Sequence, residues 1–409
     1  MLRSVKFCRY LKEFGWEPAV LTLHPRAYES VDAGRNASDY DQVPVARAFA
    51  LDTKKHLSFR GAYLDWMALP DRWVTWLLGA IPAGLRFIRK HKIEVIFSTF
   101  PVPTAILIGF VLHRLTEKPW VVDLRDSMTE DNYPPDQRER KVRRWIERQA
   151  VAHASRIIFT ANSTRKMYLE RYPDLSPEKC LVISNGYDEE DFKGLNAALV
   201  GPAPSNRPMR LLHTGIMYPQ ERDPRPFFRA LARLKSEGRI SNVNLLISFR
   251  APGSEELYTQ IINELGISDL VRLEPYVTYL QSLQECANAD GLLLFQAANC
   301  DHQIPAKAYE YLRLGRPILA LTTQTGDTAA LLKETSGATI VNLADEEEIY
   351  RALPVFLEEL WAGTHPLPDV QRVRRYARRN QAAELARTLT EIGGGSSVPS
   401  AEKTASFAR

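Results

Sequence analysis

Short apolar runs, many of them β-branched, alternate along the chain with stretches whose apolar positions recur at helical spacing. A run that is apolar on both sides of the pleat suits a strand covered by helices on both faces. Strand–helix alternation of this kind predicts βαβ units and parallel sheets. Val5–Phe14 reads as a first helix, in which Val5, Leu11 and Phe14 can share a face with Cys8. Gly15 ends it, and Pro18–His24 reads as a strand. A polar loop (Ser30–Gln42), a short strand near Ala46–Leu51 and a helix over Arg72–His91 follow. Further strands are expected at Glu94–Thr99, Pro119–Leu124, Ser155–Thr160 and Lys179–Ser184.

The composition shifts at Lys193–Arg210, where Gly194, Gly201, Pro202, Pro204 and Pro208 read as an interdomain linker. The pattern then restarts. Strands are predicted at Arg210–Thr214, Asn244–Phe249, Val271–Leu273, Gly291–Phe295, Pro317–Ala320 and Ala338–Val341. Helices are predicted at Pro224–Ser236, Ser254–Leu265 and Ala306–Leu314. A final arginine-rich helix spans Val370–Ile392, and Gly393–Arg409 has the small, polar composition of a disordered tail. The expectation is an α/β chain of two Rossmann-like, doubly wound domains, at 1–192 and 210–365, joined by a linker at 193–209. The second unit opens as such a domain should. The first does not, because a doubly wound domain ordinarily begins strand, glycine-rich turn, helix. Here nothing upstream of Val5 supplies a strand or a glycine loop. The expectation is that both are missing from this chain; a fold that starts on a helix is the alternative.

Composition narrows the function. At 409 residues the chain is long for one core. A net charge of +4 without basic runs gives no nucleic-acid footprint. Cys8, Cys180, Cys286 and Cys300 are scattered, with no metal-ligand spacing, which fits reduced thiols and a cytoplasmic protein. No signal peptide opens the sequence, and stretches such as Ala105–Leu112 are too short to span a bilayer. Asp39-Tyr-Asp41 is formally an Asp-x-Asp metal motif, but it lies in a polar loop with no strand before it. No metal site and no cofactor are expected.

The chemistry concentrates in Asn299–Ala320. A loop after the strand Gly291–Phe295 delivers Pro305 to a helix start, where its fixed φ is tolerated. Lys307 falls in the first turn and Glu310 about one turn later; Gly315 stops the helix and Pro317 opens the next strand. A helix N-terminus at the carboxyl end of a parallel sheet is an anion site. Lys307 adds a cation for a diphosphate, and Glu310 can accept from ribose hydroxyls. A second segment, Trp120–Thr129, ends a strand in Asp123, Arg125 and Asp126, where α/β sheets place ligands; these three can also form an ion-pair cluster. Ser98-Thr99, at the end of another strand, can line the same place.

The stretch Ile304–Ala320 resembles the donor-site signature of retaining GT-B glycosyltransferases, in particular family four. The resemblance implies two domains facing a cleft, a last helix (366–392) packing back on the first domain, and a nucleotide-sugar donor, UDP- or GDP-linked. It also implies a saccharide or lipid-linked acceptor, retention of anomeric configuration, and no metal. Glu310 matches the second of two glutamates separated by seven residues, the ribose ligand. The first falls at His302, leaving Asp301, His302 and Gln303 as candidates for the donor sugar. Leu212–Pro224 is similar to the family's first strand–loop–helix of the second domain. There Gly215 allows close backbone approach, Ile216 stands where a basic residue is usual, and Arg222 is placed for the second diphosphate cation. Ile183–Phe192 resembles a structural Asn-Gly-x-Asp turn. Asp123–Asp126 resembles the Asp-x-Arg-Asp element of a bacterial branch, with Asp126, Arg125, Ser98 and Thr99 on the acceptor side. Asp126, Lys307 and Arg222 would carry the chemistry. A catalytically impaired binding protein and a nucleotide-sugar epimerase are the alternatives. Leu64–Lys92, with Trp66, Trp73 and Trp76 ahead of Arg86, Arg89, Lys90 and Lys92, suits peripheral contact with the inner membrane face, although Pro70 and Pro82 interrupt a long amphipathic helix.

Overall fold

The computed structural model describes residues 2–28, 43–58, 63–196, 201, 206–219 and 221–393. Asp39, Asp41 and the tail beyond Gly393 lie outside these residues, as does part of the predicted linker. The chain divides into two compact units, one made of Met1–Ser184 and Arg378–Arg409, the other of Asn185–Ala377. The first boundary therefore falls ahead of the predicted one. Tyr187 and Phe192 are buried in the second unit's core, and Tyr187 pairs with Ala377 at that unit's other end.

Unit 1 contains helices α1 (Leu2–Tyr10), α2 (Thr53–His56), α3 (Trp76–His91), α4 (Pro103–Thr116), α5 (Gln137–His153) and α6 (Asn162–Arg171). Its strands are β1 (Val20–Leu23), β2 (Val45–Ala48), β3 (Ile96–Thr99), β4 (Trp120–Leu124), β5 (Arg156–Phe159) and β6 (Cys180–Val182). β1 and β2 pair in parallel; β3-β4-β5-β6 form a separate parallel sheet. Alternation along β4 sorts its two faces. Trp120, Val122 and Leu124 pack with α3, α4 and α5, whereas Val121 packs with α1 and with α14 (Arg378–Gly393). α14 lays Ala382, Leu385, Ala386 and Leu389 over that second face, against Phe7, Tyr10 and Leu11.

The predicted last helix is two. α13 (Val370–Arg374) ends before a break at 375–377 and belongs to unit 2. α14 belongs to unit 1. α3 runs through Pro82 rather than stopping at it. Pro82 and Leu78 lie on the exposed side, where water can meet the Leu78 carbonyl that proline leaves unpaired. Trp76 is buried, and Trp73 is half-buried with its indole N–H on the Ala27 carbonyl at 3.1 Å. Phe49, Tyr63, Leu64, Trp66 and Leu78 are among the exposed apolar side chains of this region.

Unit 2 contains α7 (Arg225–Ser236), α8 (Glu255–Glu264), α9 (Tyr279–Asn288), α10 (Ala306–Leu314), α11 (Asp327–Thr335), α12 (Glu346–Ala362) and α13. Its strands are β7 (Met209–Thr214), β8 (Leu245–Arg250), β9 (Val271–Glu274), β10 (Gly291–Phe295), β11 (Ile318–Leu321) and β12 (Ala338–Val341). They form one parallel sheet in the order β12-β11-β10-β7-β8-β9. The first strand of this unit, β7, thus has its second strand, β8, on one side and its fourth, β10, on the other. That is the strand order of a dinucleotide-binding domain, and its topological switch point lies between β7 and β10. Leu211, Phe249, Leu293 and Phe295 face α7, α8 and α12; Leu212, Leu292 and Leu294 face α9, α10 and α11.

Candidate functional site

In unit 2 the candidate residues gather at the carboxyl ends of β7 and β10, the edge at which doubly wound sheets bind ligands. β7 ends in Thr214, and Gly215 just after it takes φ +90°, a value that favours glycine. After β10 the chain passes through Asn299–Ile304 to Pro305, which caps α10. Lys307 is the second residue of α10, and its ammonium donates to the Thr214 carbonyl. It also lies 3.2 Å from His213 Nε2. A Cβ at position 215 would stand 3.2 Å from Lys307 Nζ, so the glycine leaves room for that charged head. Burial first, and then the charge of Arg222, pull Lys307 from its ordinary value of 10.5 down to about 7. Arg222 itself donates to the Ile216 carbonyl at 2.9 Å and stacks over Tyr218.

Glu310 sits one turn along α10, half-buried, and accepts from the Tyr279 hydroxyl at 2.8 Å. Tyr279 opens α9 behind a complete capping box made by Thr278 and Gln281. Tyr311, fully buried, ties α10 to β7 through Thr214, at 3.1 Å to both its N–H and its hydroxyl. The strand ends and the first two turns of α10 are therefore one hydrogen-bonded assembly. It presents a cation, a carboxylate and backbone N–H groups together.

The other candidates divide. Asp301 accepts from Thr323 Oγ1 at 2.7 and 2.6 Å, and its carbonyl accepts from the Asp327 N–H, so its work is holding the Thr323–Asp327 loop. Gln303 and His302 touch each other at 3.3 Å, while the Gln303 carbonyl receives Thr328. In unit 1, Asp126 is exposed at the end of β4 and is followed by buried Ser127, whose hydroxyl donates to the Thr129 carbonyl. Arg125 donates to the Phe100 carbonyl at 2.7 Å. Thr99 donates to Asp123 at 3.0 Å. Ser98, its neighbour on the other side of the pleat, accepts from the Trp120 indole at 3.0 Å, buried against Gly109. That removes Ser98 from the strand-end group. Asp123 pairs with Arg3 rather than with Arg125: the guanidinium reaches its two oxygens at 3.2 and 3.1 Å and the Ile183 and Ser184 carbonyls at 2.7 Å each.

Three contributors were not singled out from sequence. His213 carried a signal, a polar residue two places after Leu211 on the buried side of a strand. Arg3 and Tyr279 carried none. Among the described residues no group of three His, Cys, Asp or Glu side chains is placed to hold a metal ion.

Residues 3–186 match the family model described as a glycosyl transferase 4-like domain. Residues 3–186 are a glycosyltransferase domain. Solved structures extend the likeness over both units. HepE from Anabaena, determined in complex with UDP and glucose, has 14% identity and a TM-score of 0.63, covering 96% of this chain and 95% of that one. Sucrose-phosphate synthase from Thermosynechococcus elongatus has 13% identity and a TM-score of 0.61, covering 95% and 92%. The lipopolysaccharide outer core galactosyltransferase WaaB, in its apo form, has 10% identity and a TM-score of 0.59, covering 95% and 94%. At these identities the likeness is one of fold, and the fold is GT-B. No curated protein matches the chain in sequence. With this domain and this fold, the chain is an enzyme of the glycosyltransferase class.

Proposed function

We propose that this glycosyltransferase takes its sugar from a UDP- or GDP-linked donor and passes it to a saccharide or lipid-linked acceptor, with retention and without a metal. The observation that carries the donor reading is the Lys307 ammonium held beside Gly215 at the switch point of unit 2, with Glu310 one turn along the same helix. A diphosphate set against the start of α10 meets Lys307, Arg222 and the helix N-terminus; a ribose beyond it meets Glu310. On this reading Tyr279 holds the Glu310 carboxylate for the ribose hydroxyls. HepE, which shares the fold, was solved with UDP-glucose as well as with UDP.

The leaving group is the diphosphate. As the bond from the anomeric carbon to its phosphate oxygen lengthens, negative charge grows on that oxygen, and fixed cations stabilise it. The acceptor hydroxyl attacks from the face that the diphosphate leaves, and the departing oxygen takes its proton. Asp126 is assigned to the acceptor side, with Thr99 and Arg125 shaping the strand end behind it. Titration of the full chain with UDP and with GDP by calorimetry tests the donor reading. One of the two should bind, and Lys307→Met should weaken it by about tenfold or more, since a charged hydrogen bond is lost. Failure of both nucleotides to bind would refute the reading. Release of free sugar or interconversion of the nucleotide sugar without an acceptor would favour an epimerase or hydrolase instead.

Peripheral membrane contact belongs to this proposal through residues other than buried Trp76 and half-buried Trp73. Leu64, Trp66 and Leu78 are 61%, 67% and 74% exposed, and along α3 Leu78 and Pro82 lead into exposed Arg86, Arg89 and Lys90. Exposed rings beside cations fit the headgroup region of an anionic bilayer.

A further inference from the structure

We infer that His213 is a positioning residue for this reaction: its imidazole holds the Lys307 ammonium in place beside Gly215, where the donor's diphosphate binds. The inference rests on the reading of Lys307 given above and adds a residue to it.

His213 is the fifth of the six residues of β7 and has no exposed surface. Its ring lies edge-on to Phe295, at 5.2 Å between centroids, and 5.9 Å from Phe249. An imidazole in such a place is costly unless both nitrogens are satisfied. Nδ1 lies 2.9 Å from the Leu293 carbonyl. A carbonyl oxygen only accepts, so Nδ1 carries the proton and Nε2 keeps a lone pair. That lone pair faces Lys307 Nζ at 3.2 Å, and the ammonium donates to it. An imidazolium would instead point an N–H at an ammonium in a buried site. Burial and Lys307 accordingly hold His213 well below its ordinary value, in the neutral form.

The lysine is thus fixed by two acceptors from consecutive residues of β7, His213 Nε2 and the Thr214 carbonyl. Neither is a carboxylate, so these two contacts orient the ammonium without pairing its charge. A long lysine stem ordinarily samples many rotamers, and fixing its head beforehand removes that cost from binding. A phenylalanine could fill the same slot between Phe249 and Phe295; the histidine adds an acceptor aimed at the lysine.

Four variants of the full chain decide the matter by calorimetry with whichever of UDP and GDP binds more tightly. The matching nucleoside, followed by saturation-transfer NMR, serves as a probe without phosphates. His213→Phe should weaken the nucleotide about tenfold, approaching Lys307→Met, and leave the nucleoside unchanged. His213→Gln, whose amide oxygen can stand where Nε2 stood, should restore most of the affinity. Adding His213→Phe to Lys307→Met should cost nothing further, as coupled residues in one contact behave. Wild-type affinity in His213→Phe, equal losses for nucleotide and nucleoside, or an additive double variant would each overturn the inference. If Lys307→Met itself leaves binding intact, the fault lies with the donor reading and not with His213. Should the phenylalanine variant fail to fold, His213→Asn replaces it. Asparagine keeps the donor to Leu293 and loses the acceptor, so it must bind the nucleotide more weakly than glutamine does.

Discussion

At the scale of single residues the informative quantity is the proton on Lys307. Its neighbours pull in both directions: burial and Arg222 lower its affinity for a proton, while Glu310 and Cys286 raise it, with a result of about 7. A diphosphate beside Nζ supplies negative charge and must raise that value. Nucleotide binding at pH 8 is therefore expected to take up a proton. The uptake appears as a binding enthalpy that differs between Tris and HEPES buffers and vanishes in Lys307→Met. The same burial sets a sign for stability. The unfolded lysine keeps its proton up to about 10.5 and the folded one only to about 7. The residue's contribution is thus present above the first value and lost as the pH falls through the second. Glu310→Ala removes a charged acceptor, and the expected loss of nucleotide affinity is about 1.5–3 kcal/mol. Tyr279→Phe, which removes the hydroxyl that holds this carboxylate, should cost less, and comparing the two by calorimetry separates holding from contact.

At the scale of elements, the pairing of α1 with the sheet is the strongest local statement. Arg3 and Asp123 are both buried and pair with one another, and two backbone carbonyls accept from two further donors of the guanidinium. Removing one partner leaves a buried charge, so Arg3→Met should lose about 3–5 kcal/mol in urea unfolding, and Arg3→Met with Asp123→Leu should recover much of it. Equal losses for the single and double variants would contradict this. The strands were legible because runs such as Gly291–Phe295 are apolar on both sides and sit between turn residues. α4 was harder to read, since Pro103–Thr116 is apolar nearly all round and shows no stripe. α5 was hard for the opposite reason: only Ile146, Glu147 and Ala150 are buried among many arginines. In the site, Lys307 and Glu310 were legible from their spacing in a loop–helix–glycine–strand context. Ser98 was misplaced because two neighbours at a strand end look equivalent in sequence, whereas the pleat sends Thr99 to Asp123 and Ser98 under α4.

At the scale of the whole molecule, the exposed Leu64, Trp66 and Leu78 give a prediction for the membrane. Sedimentation with anionic liposomes at low salt should fall several-fold in Trp66→Ala with Leu78→Ser, while Trp73→Ala should act through folding, since that indole is spent on the Ala27 carbonyl. The composition of unit 1 gives another. Leu385 is buried among residues from the far end of the chain, so Leu385→Ala should destabilise unit 1 by about 2–5 kcal/mol and leave nucleotide binding by unit 2 in place.

That same helix sets an order for folding during synthesis. Val121, Ile158 and Ile183 emerge early from the ribosome with α1, but α14, which completes their cover, is made only after all of unit 2 has been translated. At about 5–20 residues per second, the 193 residues of Asn185–Ala377 leave this face only partly covered for tens of seconds, an interval in which chaperones or aggregation can act. Unit 2, continuous in sequence, can close its core before the unit that precedes it. A released chain ending at Ala377 should accordingly resist protease in its second half while its first half is cut.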